Sequence, residues 1–482
     1  MELAAHAAWV LRALADAGFE AVVVGGCVRD RLLGREPQDW DVATSALPHQ
    51  TRRCLEVRGV RTLEVGQKYG TITALTPGGP VEVTTYRRDG DYAAHRRPQQ
   101  VTFTSRLEED LSRRDFTMNA MAFSPKTGLV DRFGGQQDLA AGRVRCVGAA
   151  DTRFAEDALR VLRGLRFAAQ LGFTLEEETA AAACRWAPTL GQVAGERLRQ
   201  EWDKLVAAPA AGEVLARYGE TFGQMARGCG LPLPGDWAAL GRGLGALPAR
   251  LELRLAWVLA GPEGDLDRAQ AVLRRFRYDN RTRARVLALA QVVALPGLSE
   301  GSRPALRLAL AQLEPAWGEA VWQAGEELVL LRRTIYPGED LSPVLAQVRE
   351  QYPRFCWSPR QLCLGGRELA GLGAEPGPQM GQLLCHLCRA CREDGSPAGF
   401  LGADGDSLEM LFLAPEERGQ GLGRRLVEEG IRRWGLHWVS VNEQHPQAVG
   451  FYQHLGFVLD HRTETDPQGD PFPILYLRRE PV

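Results

Sequence analysis

Lysine is almost absent from this chain of 482 residues and occurs only at positions 68, 126 and 204. Nearly all positive charge is therefore arginine, whose planar fork suits phosphates and base edges. The formal net charge is −2, so no overall field attracts a polyanion and any basic surface must be local. No apolar run reaches membrane-spanning length, and the start MELAAHAAWVLRALADAGF lacks a signal-peptide pattern. These absences predict a cytoplasmic protein with no membrane-embedded part.

Cysteine is more frequent, and the first four of the ten are scattered as reduced core thiols usually are. Cys385, Cys388 and Cys391 in LLCHLCRACR have a spacing that a zinc ion or an iron–sulfur cluster can use. No turn residue interrupts this segment, which favours a helix with small apolar cysteines. Both interpretations stay open on the sequence alone.

Two carboxylates, Asp39 and Asp41, follow a glycine turn in AVVVGGCVRDRLLGREPQDWDVATSA. The pattern predicts a strand over 21–24, a turn at 25–26, a helix start and a second short strand. Because side chains alternate along a strand, both aspartates point to one face and Trp40 to the other. Two such carboxylates can hold a pair of Mg²⁺ ions for phosphoryl displacement, and the glycines let the backbone approach a triphosphate.

This segment resembles the head motif of the nucleotidyltransferase superfamily, in the class II branch of tRNA nucleotidyltransferases and bacterial poly(A) polymerases. The resemblance assigns catalysis and metal binding to Asp39 and Asp41, and nucleotide binding to Gly26 and Arg29. Glu82 in the predicted strand VEVTTYR is either a third carboxylate facing the pair or a solvent-facing strand residue.

The segment SRRDFTMNAMAF, residues 112–123, resembles the second motif of the class II family. The resemblance places Arg114 on a phosphate, and Asp115 and Asn119 near the ribose. The alternative is a charged helix start that its own side chains cap.

EDALRVLRGLRFAAQLGF carries Asp157 and Arg160 three residues apart, which predicts that they share a helix face. Arg163 and Arg166 extend this stripe. Cytosine and adenine both present an amino donor beside a ring-nitrogen acceptor, so one carboxylate and one guanidinium can select them without a template. Family resemblance gives base selection to Asp157 and Arg160 and nucleotide binding to all four; a solvated charged face is the alternative.

Three further segments follow the order of the family. EVGQKYGTITAL looks like the CCA-adding members rather than the poly(A) polymerases, and RRDGDYAAHRRPQQVTF, residues 87–103, resembles the mobile loop that serves the change from C to A addition. GLVDRFGGQQDL resembles a hinge, and ERLRQEWDKLV resembles the motif that supports the base-selecting helix.

From residue 407 the chain resembles the acetyl-CoA-binding half of the GNAT acetyltransferases. A strand precedes a glycine-rich turn and an amphipathic helix, which is an arrangement that suits a pyrophosphate. The strands and helices that shape the acceptor site of a full GNAT domain are expected to be missing, so catalysis and acceptor stay open. The resemblance assigns acetyl-CoA binding to Arg418, Gly419, Gly421, Gly423, Asn442 and Tyr452.

The sequence thus predicts an α+β protein. It has a nucleotidyltransferase head with a mixed sheet and helices (1–145), an all-α neck (146–206), body (207–333) and tail (334–395), and a C-terminal α/β GNAT-like segment (396–482).

The resemblance implies Mg²⁺-dependent addition of the 3′-terminal CCA to tRNA from CTP and ATP, with contacts to the tRNA 3′ end and acceptor arm, and acetyl-CoA as a possible second ligand. A poly(A) polymerase or a partial-CCA enzyme is the alternative within the family. An RNA-binding scaffold with acetyltransferase activity is the alternative of another class. The oligomeric state is left open.

Overall fold

A computed structural model describes most of the chain: residues 1–66, 69–89, 92–93, 97–98, 101–232, 236–295, 298, 303–350, 387–391, 397–404, 406–413, 417–465 and 473–480. The chain forms two compact units, residues 1–291 and 292–482, which are described separately. Among the described residues, no helix combines the length and the apolar character needed to cross a membrane.

The first unit begins with eleven strands in the described residues. They are β1 Ala21–Val24, β2 Asp41–Thr44, β3 Arg61–Gly66, β4 Thr71–Thr76, β5 Gly79–Thr85, β6 Arg87–Asp89, β7 Tyr92–Ala93, β8 Arg97–Pro98, β9 Val101–Phe103, β10 Met121–Ser124 and β11 Gly128–Asp131. Seven of them form one mixed sheet in the order β11-β10-β1-β2-β5-β4-β3. Only β2 and β5 run parallel. The inner strand β1 is valine-rich and largely buried, as β-branched residues in a covered strand usually are.

Five helices accompany this sheet: α1 Ala5–Asp16, α2 Gly26–Leu32, α3 Pro48–Glu56, α4 Leu107–Ser112 and α5 Gly135–Ala140. In α1 the residues Val10, Leu11 and Leu14 are buried at helical spacing, so one face of the helix covers the core. A 3₁₀ turn over Thr117–Asn119 leads into β10.

Ten helices then follow, as the sequence predicts for this part of the chain. They are α6 Ala150–Glu156, α7 Leu159–Leu171, α8 Glu177–Trp186, α9 Gly195–Val206, α10 Ala211–Arg217, α11 Gly219–Gly228, α12 Trp237–Ala246, α13 Leu251–Ala260, α14 Leu266–Arg275 and α15 Asn280–Val293. A 3₁₀ helix, Ala187–Gln192, separates α8 from α9. Two short parallel strands, β12 Arg143–Val144 and β13 Thr174–Leu175, flank α6 and α7.

A buried arginine fixes the C-terminal end of α9. Arg254 on α13 is only 4 % exposed. Its Nη1 donates hydrogen bonds to the carbonyls of Val206 and Ala208, both at 2.8 Å, and its Nη2 donates to the carbonyl of Leu247. The carbonyl ends of helices carry partial negative charge, which compensates the buried guanidinium. The C-terminal end of helix α9 is therefore held in place by Arg254.

The described residues of the second unit begin with three α-helices, and a six-stranded sheet with two further helices follows. The first three helices are α16 Arg303–Trp317, α17 Val321–Ile335 and α18 Ser342–Glu350, and the predicted break near 334–345 lies between the last two of them. The later elements are β14 Leu387–Cys391, β15 Pro397–Asp404, β16 Ser407–Leu413, α19 Leu422–Trp434, β17 Trp438–Asn442, α20 Pro446–His454, β18 Val458–Thr463 and β19 Ile474–Arg478. The order in the sheet is β14-β15-β16-β17-β19-β18.

The sheet corrects two expectations about residues 385–404. Cys388 and Cys391 lie on strand β14, which pairs antiparallel with β15, so the helical interpretation of this segment is wrong. Two strands also precede β16, so the expectation that the GNAT-like region lacks its earlier strands is wrong for β14 and β15. Cys385 and the turn-rich stretch of the predicted tail up to residue 386 lie outside the described residues.

Candidate active site

The glycine turn between β1 and α2 has a conformation that only glycine adopts easily. Gly25 has φ 78° and ψ −132°. A Cβ at this position would lie 3.1 Å from Nη1 of Arg114 and 3.9 Å from Oδ2 of Asp41. Gly26, the predicted nucleotide-binding glycine, has an ordinary φ and would meet only Arg29 at 3.7 Å. The backbone conformation and the close neighbours therefore require glycine at position 25 and not at position 26. The missing side chain of Gly25 keeps the space between Asp41 and Arg114 open.

The two predicted metal ligands lie at the start of β2 and just before it. The first ladder pair of β2 joins Asp41 to Glu82 of β5, and Asp39 lies in the bend that precedes the strand. The expectation that both aspartates belong to the strand is therefore wrong. Their side chains still alternate with Trp40, which is buried, whereas Asp39 is exposed and Asp41 is half-buried.

The three carboxylates act on one another electrostatically. The pKa of Asp41 is raised to about 6, chiefly by burial; the Arg114 guanidinium opposes this rise, and the charges of Glu82 and Asp39 add to it. Paired residues of neighbouring strands place their side chains on the same face of a sheet, which brings Glu82 beside Asp41. Asp41 thus lies in a locally negative environment that favours a cation.

The donor set fits a hard divalent cation. In the described part of the chain, neither aspartate has a side-chain hydrogen bond or ion pair with another residue, so their oxygens are available. Carboxylate oxygens are the ligands that Mg²⁺ prefers. No group of three or more His, Cys, Asp or Glu side chains that could hold a metal ion occurs among the described residues. Glu82 acts on Asp41 through its charge.

Arg114 lies between the glycine turn and a buried carboxylate. Its Nη2 donates a hydrogen bond of 3.2 Å to Oδ2 of Asp110 on α4, and its Nη1 faces Gly25. Burial raises the pKa of Asp110, but Arg114 and Arg113 outweigh it and hold the pKa below its ordinary value. Asp110 therefore stays ionised and anchors the predicted phosphate-binding arginine.

The two predicted ribose residues belong to a chain of hydrogen bonds between α2 and α7. Arg29 donates through Nη1 to Oδ1 of Asn119 at 2.8 Å, and Asn119 donates through Nδ2 to Oδ1 of Asp115 at 3.2 Å. Arg163 donates through Nε and Nη2 to the other oxygen of Asp115, at 2.9 and 2.6 Å. Burial raises the pKa of Asp115, but Arg163 outweighs it and holds the pKa at about 2.

Three of the predicted arginines surround one aromatic ring. The guanidinium carbons of Arg166, Arg29 and Arg163 lie 4.0, 5.1 and 5.6 Å from the ring centre of Phe167. Arg166 is 8 % exposed, and its Nε lies 2.8 Å from Oε2 of the buried Glu201 on α9. Burial lowers the pKa of Arg166 to about 10, while the Glu201 charge raises it. A solvated charged face is thus excluded for Arg166.

Asp157 does not share a helix face with Arg160, so that expectation is wrong. Asp157 has extended backbone angles, φ −142° and ψ 106°, and lies between α6 and α7. Its Oδ1 accepts a hydrogen bond of 3.1 Å from the amide of Leu159, which caps the start of α7. Its Oδ2 accepts one of 2.9 Å from Nη2 of Arg197 on α9. Capping removes Asp157 from the helix and fixes its carboxylate.

Arg160 is held by a different set of partners. Its Nη1 donates to the carboxylate of Glu156 and, at 3.0 Å, to the carbonyl of Arg153. Its Nη2 donates to the carbonyl of Arg113 at 3.1 Å. Asp157 and Arg160 are thus held by different hydrogen-bond partners, although they are only three residues apart in the chain.

The predicted mobile loop begins and ends in paired strands. Strand β6 pairs with β9, and β7 pairs with β8. Arg88 donates through Nε and Nη2 to Glu109 on α4, both at 2.7 Å. Gly90 and Asp91, which suggest mobility in the sequence, lie outside the described residues.

Sequence reasoning missed four residues that position the predicted ones: Asp110, Phe167, Arg197 and Glu201. Two signals were available. Arg197 and Glu201 are four apart in ERLRQEWDKLV, and Asp110 precedes Arg114 by four residues, so each pair shares a helical face or its continuation. Their partners are distant in sequence, and no spacing rule identifies them.

The GNAT-like sheet opens where the glycine-rich turn lies. Strands β16 and β17 run parallel but pair only at Ser407 with Trp438 and Leu408 with Val439. Beyond these pairs, residues 409–413 and 440–442 show no pairing to one another in the described structure. Unpaired backbone groups on both strands therefore border a gap next to the start of α19.

The six predicted acetyl-CoA residues differ in their surroundings. Gly419 and Gly421 have φ 77° and 80°, and Gly421 is the residue before α19. Gly423 lies inside the helix, where a Cβ would come within 3.0 Å of Leu413, so its role is close packing. Arg418 is exposed.

The two predicted residues beyond α19 are less available. Oδ1 of Asn442 accepts a hydrogen bond of 2.8 Å from the amide of Gln444. Tyr452 is 7 % exposed in the core of this unit, and burial raises its pKa to about 12. Asn442 ends β17 at the border of the gap.

Comparison with protein families gives three matches along the chain. Residues 21–145 match the poly A polymerase head domain, and residues 172–221 match the probable RNA and SrmB-binding site of polymerase A. Residues 385–459 match the acetyltransferase (GNAT) domain, which agrees with the six-stranded sheet.

Individual relatives match the first part of the chain. The CCA-adding enzyme of Geobacillus thermodenitrificans is 43 % identical over 288 residues, which are 55 % of this chain and 68 % of that protein. The CCA-adding enzyme of Geobacillus kaustophilus is 47 % identical over 212 residues, 44 % of this chain and 52 % of that protein, so the chain spans about half of its length.

A solved structure covers more of the chain. The CCA-adding enzyme of Bacillus stearothermophilus in complex with CTP has a TM-score of 0.60 and 30 % identity, and the match covers 78 % of this chain and 90 % of that one. The sheet, the positions of the matched models and the identity over 68 % of a relative lead to one conclusion. The chain belongs to the family of CCA-adding enzymes and carries a GNAT domain behind the matched region.

Proposed function

We propose that this protein adds the 3′-terminal CCA to tRNA, using CTP and ATP and no nucleic-acid template. The main support is the arrangement of side chains around Gly25. Asp41 and Arg114 flank this turn. A chain of hydrogen bonds through Arg29, Asn119 and Asp115 connects the turn to α7. One face of the head thus joins a cation-binding pair to an arginine for phosphate. The named relatives and the CTP complex support CTP as a substrate.

Membership of the family implies a divalent metal ion, and we assign Mg²⁺ to Asp39 and Asp41. When bound, the metal neutralises charge on the triphosphate and lowers the pKa of the attacking hydroxyl. Arg114 binds the phosphates, and the absent Cβ at Gly25 admits them next to Asp41. The tRNA 3′-hydroxyl releases its proton to solvent and its oxygen bonds to the α-phosphorus, while the bond from that phosphorus to the bridging oxygen breaks and pyrophosphate leaves.

We assign base selection to Asp157 and Arg160. A carboxylate accepts from the amino group of cytosine or adenine while a guanidinium donates to the ring nitrogen. Uracil and guanine present a carbonyl beside an N–H, so the same pair leaves both partners unsatisfied, which is costly in a partly dry site. Asp157 is fixed by Arg197 and Arg160 by Glu156, which supports a rigid rather than an adaptable template.

The test uses purified full-length protein and a tRNA that lacks CCA. CTP alone should add two residues, ATP alone should add none, and both together should add three. Long tails with ATP alone would identify a poly(A) polymerase. Products that stop after two residues with both nucleotides, or that form only on a primer already ending in CC, would identify a partial-CCA enzyme.

We propose a second activity, the binding of acetyl-CoA by the GNAT domain. The observation in its favour is the gap between β16 and β17 beside the glycine turn at Gly419 and Gly421. Calorimetry of the full chain with acetyl-CoA tests it, with Gly421→Trp as the blocked variant. Gly435→Trp is the matched control, because Gly435 has the same left-handed conformation at the other end of α19. Binding by Gly421→Trp as tight as by the parent would contradict the proposal.

A further inference from the structure

Asp110 on α4 is a carboxylate that none of the assignments above uses for chemistry. Its side chain is 1 % exposed. Oδ1 accepts hydrogen bonds from Nε and Nη2 of Arg113 at 3.0 and 2.7 Å, and from the amide of Arg87 at 3.3 Å. Oδ2 accepts one from Nη2 of Arg114 at 3.2 Å. Burying an ionised carboxylate this deeply costs desolvation free energy, which its charged hydrogen-bond partners must offset.

Each partner of Asp110 leads to a different part of the candidate site. Arg114 faces Gly25 and acts on Asp41. The carbonyl of Arg113 accepts a hydrogen bond from Arg160, the predicted base-selecting arginine. Arg87 opens strand β6 at the root of the predicted mobile loop. One buried carboxylate therefore joins the phosphate side, the base side and the loop.

The charge of Asp110 determines which carboxylate the Arg114 guanidinium pairs with. Arg114 is hydrogen-bonded to Asp110 on one side. On the other side it faces the space at Gly25, where a Cβ would lie 3.1 Å from Nη1 of Arg114 and 3.9 Å from Oδ2 of Asp41. Without the negative charge at position 110, the guanidinium gains by moving towards Asp41, since opposite charges at short range attract strongly in a partly dry site. An arginine paired with Asp41 competes with a divalent cation for the same oxygens.

We propose that Asp110 is a positioning residue that holds Arg114 away from Asp41 and so keeps the aspartate pair free for the metal. This inference rests on the proposed function, in which Asp39 and Asp41 bind the metal and Arg114 binds the phosphates. Groups that orient the surroundings of a metal site typically change metal affinity about 10–100-fold when they are removed.

The test is a titration of the full chain with Mn²⁺, followed by the electron paramagnetic resonance signal of the free ion, without nucleotide or RNA. Asp110→Asn should weaken Mn²⁺ binding about tenfold. Arg114→Gln should bind Mn²⁺ at least as tightly as the parent, and the double variant should behave like Arg114→Gln, because the competing arginine is gone. In tRNA extension, Asp110→Asn should need about tenfold more Mg²⁺ for half-maximal rate, and excess Mg²⁺ should restore it.

Glu109→Gln is the matched control. Glu109 is the neighbour of Asp110 on α4 and bonds the loop strand through Arg88, but it does not contact Arg114 in the described structure. Its Mn²⁺ affinity should equal that of the parent. If Asp110→Asn does not fold, Asp110→Glu keeps the charge and displaces it, and its Mn²⁺ affinity should be intermediate.

Three outcomes overturn the inference. The first is a folded Asp110→Asn, or in its place Asp110→Glu, that binds Mn²⁺ like the parent and loses only thermal stability. The second is a double variant that stays as weak as Asp110→Asn. The third is a parent that binds no Mn²⁺. A parent that binds Mn²⁺ but extends no tRNA refutes the proposed function instead, and the positioning role of Asp110 is then decided by the binding data.

Discussion

Arg197 on α9 donates a hydrogen bond of 2.9 Å to the carboxylate of Asp157, which lies between α6 and α7. The two residues are 40 positions apart in the chain. Because the other oxygen of Asp157 caps α7, the carboxylate has one orientation fixed from two sides. In the proposed base selection the lone pairs of Asp157 must point in a constant direction, so we expect α9 to contribute to selectivity through Arg197.

Replacing Arg197 with methionine should relax base selection more than it slows the addition of C. A charge-assisted hydrogen bond contributes about 1.5–3 kcal/mol, which corresponds to roughly 10–100-fold in discrimination against UTP and GTP. The measurement is kcat/KM for each of the four nucleotides with the same primer tRNA. Arg199→Met is the control, since Arg199 also lies on α9 but donates to the carbonyl of Arg277. If UTP and GTP are still fully rejected, Arg197 does not orient the template.

Removing either aspartate should abolish nucleotide addition while folding and tRNA binding stay near normal. Asp39→Ala and Asp41→Ala each remove a metal ligand, which costs several kcal/mol of transition-state stabilisation. Single-turnover extension of a tRNA lacking CCA gives the rate, and filter binding gives the tRNA affinity. Glu36→Ala in the same connecting segment should keep full activity, because its carboxylate bonds Arg31 at the surface. Residual addition within a few-fold of the parent would refute the metal role.

Asp41 should also destabilise the metal-free protein at neutral pH. Its pKa is about 6 in the folded chain and 3.8 in the reference state, so protonation stabilises the fold. The benefit is complete below about pH 4 and is lost as the pH rises to 6, with an upper bound of about 3 kcal/mol. Asp41→Asn should therefore be more stable than the parent at pH 7.5 and equal to it at pH 4, in urea unfolding with EDTA. A difference that does not change with pH would contradict this.

The sequence predicts those features of this site that depend on neighbouring residues in the chain, and it does not predict those that depend on tertiary contacts. The predicted order of strand, glycine turn and helix is confirmed by β1, Gly25 and α2. The strand boundary at Asp41 depends on pairing with Glu82, 41 positions later, and alternation alone does not reveal it. Likewise, Asp157 and Arg160 have helical spacing in the sequence. In the structure, however, the Asp157 carboxylate caps the start of α7, and the preceding helix α6 ends at Glu156.

The C-terminal segment contains the clearest misreading. LLCHLCRACR has no turn residue and no strict alternation, so helix and strand are equally compatible with it locally. Its residues 387–391 become a strand because β15 offers an antiparallel edge. The glycine-rich turn before α19, in contrast, was identifiable because Gly419 and Gly421 need a left-handed backbone, which is a local property of the residue.

Breaking the pair of Arg163 and Asp115 should cost stability as well as activity. Asp115 is 8 % exposed, and Arg163→Met leaves its charge uncompensated, which typically costs about 3–5 kcal/mol. The pKa of Asp115 is held at about 2, below its ordinary 3.8, so the contribution of the pair is complete above pH 4 and is lost as the pH falls towards 2. Urea unfolding between pH 3 and 7 measures this. The double variant Asp115→Asn/Arg163→Met should recover part of the loss, and no recovery would refute the electrostatic explanation.

The position at which the chain is shortened should determine whether the protein without its GNAT domain stays soluble and active. A protein that ends at Glu350, where α18 ends, should add CCA at the parental rate, because every nucleotidyl-transfer residue assigned here lies before residue 210. A protein that ends at Leu401 is cut in the middle of β15 and lacks β16, so β14 and the remaining part of β15 are left with an unpaired edge. We expect the second protein to aggregate. Extension assays and light scattering on both proteins test this pair of outcomes. Loss of CCA addition by a soluble protein ending at Glu350 would show that the segment after α18 takes part in binding the tRNA.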